Sequence, residues 1–127
     1  MTLEEKIEFV KQNRDEAIVV LNGLLDANYT VIESHDEYMR TVIEEMGQTL
    51  KENDEAGRQF VMNIKEDVDV YEKVRRKLLN NDFNLSLLEI NYIGLAYMFY
   101  AIRFKKTIDN LKKAQQYSEE THKKLIS

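Results

Sequence analysis

The sequence predicts an all-α fold: a four-helix antiparallel up-down bundle with a long, aromatic-rich C-terminal helix. Three observations carry this expectation. The 127 residues include no proline and only four glycines, and because those two residues punctuate most turns, their scarcity means long helices and few loops. Apolar residues recur at intervals of three and four along most of the chain, the period of one helix face. Short polar stretches separate the striped segments, "NYTVIES" at 28–34, "KENDEAG" at 51–57 and "NNDFN" at 80–84, and these suit the short connections of such a bundle. The length fits a single domain, residues 1–127, with a real core and no room for a second.

The first helix is expected over about residues 3–27. Thr2 and Glu5 have the spacing of a capping box. Leu3, Ile7, Val10, Ala17, Leu21 and Leu24 then form one stripe, with Ile18 and Leu25 beside it. A second box, Ser34 with Glu37, opens a helix over about 36–50 that turns Tyr38, Val42, Ile43, Met46 and Leu50 inward. The third helix, about 54–79, is capped by Asn53 or Asp54 and buries Phe60, Ile64, Val68, Tyr71, Val74 and Leu78. Its last turns hold Lys73, Arg75, Arg76 and Lys77, which complement the negative end of the helix dipole. The alternative for 36–79 is one helix kinked near Asn53, but at ~65 Å it outruns what the first helix can cover. Ser86 with Glu89 opens the fourth helix, about 86–123.

Composition narrows the function classes. The chain is 43% hydrophobic and 32% charged, as in soluble globular proteins. Its net charge of −5 is uneven: residues 1–72 carry eighteen acids against seven bases, and residues 73–127 five acids against eleven. Helices of opposite charge side by side in one bundle account for that split. An acidic chain repels phosphate, so no nucleic acid is expected as partner. The absence of cysteine excludes disulfides, thiolate metal sites and cysteine nucleophiles. "MTLEEKIEFVKQN" has charges where a signal peptide needs its apolar stretch, so a cytoplasmic location is expected. The sequons at Asn28 and Asn84 are then idle.

"ENDEAGRQF" at 52–60, the pair Arg75–Arg76, and "RFKK" at 103–106 in a ring-rich final helix form a recognisable set. With them the chain resembles the small proteins of Gram-positive bacteria typified by YppE, over roughly residues 50–115. The resemblance implies an all-helical fold and brings no assigned activity.

The segment "NYIGLAYMFYAIRF", 91–104, is the most apolar in the chain. A membrane span needs about 20 mostly apolar residues, and Glu89 and Arg103 close this run too early, so no membrane insertion is expected. At 100° per residue, Ile90, Ile93, Tyr97, Tyr100, Ala101, Phe104, Ile108 and Leu111 form a core stripe. A second stripe lies opposite: Leu88, Tyr92, Leu95, Phe99 and Ile102, with Met98 alongside. Either the rest of the bundle covers it, or it is a surface for a partner, a second copy of the chain or another protein. The partner reading makes these six residues the candidate site.

Motifs for chemistry are sparse. Glu119 and His122 have the Glu-x-x-His spacing of di-iron bundles, but those sites need two such motifs, and Ile32 stands where His35 would require a glutamate. Both histidines read as exposed. No serine lies in a nucleophile elbow, and the four glycines are isolated, so no loop cradles phosphate. The expectation is a non-enzymatic interaction module without cofactor. The alternatives are a bundle that binds a small apolar ligand and a metal-dependent enzyme.

Overall fold

A computed structural model describes residues 1–46, 55–103 and 109–126, and all regular structure among them is helical. The helices are α1 (Leu3–Gln12), α2 (Arg14–Met46), α3 (Glu55–Leu79), α4 (Leu87–Arg103) and α5 (Asp109–Ile126). The Thr2–Glu5 capping box forms in both directions. The chain then breaks at Asn13, whose backbone (φ −116°, ψ 33°) leaves the helical region. Its side-chain amide donates to the Phe9 carbonyl at 2.9 Å, satisfying the end of α1. The break frees Arg14, whose Nε donates to Leu78 O at 2.7 Å and whose second guanidinium nitrogen donates to Leu79 O at 3.3 Å. A cation at those last carbonyls closes the C-terminus of α3.

Three expected boundaries differ, the first being this division at Asn13 of the helix expected over 3–27. Residues 28–35, read as a linker, are continuous helix within α2, so Ser34 is interior and its spacing to Glu37 caps nothing. Cross-helix bonds hold this stretch: Tyr29 donates to Glu72 and Arg75 to Asn22 at 3.0 Å. The final helix expected over 86–123 is two helices, α4 and α5. A continuous helix would part residues 94 and 122 by ~42 Å, whereas His122 Nδ1 lies 3.0 Å from Gly94 O. The break expected at 51–54, with its Asn53 or Asp54 cap, and the "FKK" of the 103–106 motif lie outside the described residues.

α2 and α3 run antiparallel, as the pairs Arg14–Leu78, Asn22–Arg75, Tyr29–Glu72 and Asp36–Lys65 record. Between α3 and α4 the chain turns through a Schellman cap, with Asp82 N bonding Lys77 O and Asn81 N bonding Leu78 O. Asn81 takes the required positive φ of 54°, which asparagine tolerates better than most residues. α4 packs on α5, on α2 and to a smaller extent on α3. The core gathers Val10 of α1, Ala17, Val20, Leu21, Leu24 and Leu25 of α2, Val68, Tyr71, Val74 and Leu78 of α3, Ile90, Ile93, Ala96 and Tyr97 of α4, and Leu125 of α5.

Lengths set the shape. α2 at 33 residues extends ~50 Å and α3 at 25 residues ~38 Å, but α4 at 17 residues reaches only ~26 Å. The α2–α3 hairpin therefore outruns its cover. Tyr38 and Phe60, both expected to face inward, are 54% and 60% exposed on its far half.

Candidate functional site

The six candidate residues sit on α4, whose start is fixed by a capping box between Ser86 and Glu89. Glu89 N donates to Ser86 Oγ at 3.1 Å, and Ser86 N donates to Glu89 Oε1 at 3.0 Å. Lys77 Nζ adds a 3.0 Å bond to the same Oε1. Glu89 is buried; burial pushes its pKa up, but the Ser86 amide and Lys77 outweigh it and hold the carboxyl below the usual range.

Above that anchor the stripe divides. Leu88 and Leu95 are 60% and 45% exposed, one heptad apart on the outer face. Tyr92 and Phe99 pack against the core. The Tyr92 ring meets Tyr71 edge-on at 4.9 Å, and its hydroxyl donates to Asp67 at 2.9 Å. Met98 is half-buried, and the side chain of Ile102 lies outside the described residues. Sequence reasoning missed Leu87 and Leu79, both exposed. Leu87 lies three turns before Met98 and only about 20° from it around the helix, so an angular plot of the whole face is the signal that finds it.

The opposite face of α4 is closed. Tyr97 is buried and donates to Glu16 at 2.7 Å; burial first, then that bond, pushes its phenol far up. Tyr71 is raised by burial and then by Asp67. Tyr92 is raised by its bond to Asp67 and then by burial. These phenols stay neutral, and those of Tyr97 and Tyr92 each tie a carboxylate of another helix to the core. Gly94 brings α5 close: a Cβ there would lie 2.8 Å from Ile126 Cγ1 and 3.3 Å from Leu125 Cβ.

The histidines are not the exposed residues expected. His122 is half-buried and its Nδ1 faces the Gly94 carbonyl, which assigns the proton to that nitrogen. His35 is half-buried near Asp36. Among the described residues no three His, Asp or Glu side chains come together as a metal-holding group, and no helix is long and apolar enough to cross a membrane. Set beside protein-family models, curated proteins and solved structures, the chain matches none.

Proposed function

We propose that the chain is a cytoplasmic helical bundle that acts by binding protein rather than by catalysis, with the outer face of α4 as its contact surface and a second copy as its partner. The observation that carries this reading is the exposure of Leu88 and Leu95 on a helix whose other face is core. Between Leu87 and Ile102 the one charged residue is Glu89, and it is buried. Two such faces related by a two-fold axis meet without like-charge repulsion. Tyr92 and Phe99, held by the bundle beneath, make the surface rigid before contact and so lower the ordering cost of association.

Sedimentation equilibrium over about a hundredfold concentration range tests the reading. A dimer is expected for the native chain. Leu88→Asp and Leu95→Asp should each give a folded monomer that melts with the native chain at concentrations where that chain is also monomeric, since both side chains face solvent in one protomer. A monomer at every concentration would refute self-association. A sharp loss of stability in either variant would make the stripe core rather than contact.

A further inference from the structure

The far half of the α2–α3 hairpin is a second open apolar surface, built differently from the α4 face. Leu24, Val31 and Tyr38 stand seven residues apart on α2, so they lie along one line of that helix. Val74, Asp67 and Phe60 do the same on α3. At the near end, Leu24 and Val74 are buried in the core that α4 completes. At Asp67 the Tyr92 hydroxyl still reaches across from α4. Level with it Val31 is exposed, and beyond it Tyr38 and Phe60 are exposed, although α2 and α3 remain together: Met39 and Val61 are buried and Lys65 Nζ lies 3.9 Å from Asp36. Among the described residues, the seam that α4 fills at one end thus continues without a third helix.

We propose that this groove receives an amphipathic helix with basic flanks, supplied by a different protein. Charge selects that occupant. Residues 26–46 and 55–69 contain ten acids against three bases. Asp67 stands in the groove line itself, and Glu66 and Glu37 flank it. Two of the bases, Arg58 and Lys65, line a cleft with Met62, about 140° or more around α3 from Phe60 at 100° per residue. The groove side is therefore apolar with an acidic border. A second copy's hairpin would bring the same acidic border and be repelled, and the neutral α4 face would leave these carboxylates unanswered. Lysine or arginine beside an apolar stripe answers both features, in the helix-in-groove mode of recognition.

The probe is a fluorescein-labelled helical peptide of about 18 residues, roughly five turns, with leucine along one face and lysine on the rest. A second peptide carries glutamate in place of lysine. Anisotropy titrations on the full chain should show the lysine peptide binding at least tenfold more tightly, with affinity falling as salt rises. Phe60→Lys and Tyr38→Lys should each weaken binding about tenfold, and Glu66→Lys, which leaves the apolar groove intact, should weaken it several-fold. Leu95→Asp should change nothing. Equal binding of the two peptides, no binding, or loss on Leu95→Asp alone would overturn the proposal. So would a native dimer that Phe60→Lys dissociates, because a second copy would then occupy the groove.

Discussion

The phenol of Tyr97 donates to the carboxylate of Glu16 at 2.7 Å, joining α4 to the first turn of α2 across 81 residues of sequence. The acceptor is charged and the donor buried, the combination in which a single bond contributes most. Tyr97→Phe keeps the ring and removes the donor. It should cost about 1.5–3 kcal/mol in urea unfolding. An unchanged midpoint would mean that water replaces the hydroxyl at no cost.

Alkaline pH tests the same group from the other direction. The phenols of Tyr97 and Tyr71 are raised above their ordinary 10.0, so the folded chain keeps protons that the unfolded chain releases. The stability they contribute is fully present below pH 10 and falls as pH rises above it. Each of these two buried protons adds a slope of about 1.4 kcal/mol per pH unit. Urea midpoints on either side of that pH should show the decline, and Tyr97→Phe should make it shallower. A flat profile would contradict the buried, hydrogen-bonded phenol.

Gly94 and Gly23 should respond oppositely to alanine. At Gly23 an added Cβ meets nothing within 4 Å, so Gly23→Ala should stabilise α2 by about 0.5–1 kcal/mol through helix propensity. At Gly94 the same gain is opposed by a 2.8 Å approach to Ile126 Cγ1, and overpacking of about 1–3 kcal/mol should leave Gly94→Ala net destabilised. Combining it with Ile126→Ala should recover part of the loss. Thermal melts of the single and double variants measure the coupling.

Lys77→Met removes the cation from buried Glu89 while keeping an apolar stem of similar length. Breaking one side of such a pair costs about 3–5 kcal/mol when fully buried. Lys77 is 21% exposed, so about 2 kcal/mol is expected near neutral pH, on the surface-pair side of that range. The deficit should shrink under acid conditions, where Glu89 takes up a proton. A deficit independent of pH would point to lost packing instead.

The helices were legible where local chemistry and periodicity agreed. Thr2–Glu5 and Ser86–Glu89 cap as their spacing requires, and Val10, Ala17, Leu21, Val74, Leu78, Ile90 and Ile93 are buried as their stripes require. Ser34–Glu37 has the same pattern inside a continuous helix, because Tyr29–Glu72 and the packing of Leu24 and Leu25 carry α2 past its weak helix formers. The break at Asn13 left no strong mark in the sequence: asparagine is common enough in helices, and the reward for breaking, Arg14 on Leu78 and Leu79, lies 64 residues away. The division into α4 and α5 was hidden for the same kind of reason, since the apolar periodicity of the sequence runs on without interruption from Ile90 to Leu111. Of the candidate site, Leu88 and Leu95 stand open while Tyr92 and Phe99 are tied down. Periodicity cannot divide a stripe in that way, because the division depends on where Asp67 and Tyr71 arrive from α3.

The unequal lengths of α2 and α4 give one unbroken helix two different protections against solvent exchange. Amides near Leu21 and Leu25 sit against the packed core and open only when much of the molecule opens. Those around Tyr38 rest, among the described residues, on α3 and can open locally at lower free energy. α2 should therefore show a step in hydrogen-exchange rate along its length, between Leu25 and Tyr38, with no break in its hydrogen-bonded backbone. A helix seated in the distal groove would slow exchange beyond the step and leave the first half of α2 as it was.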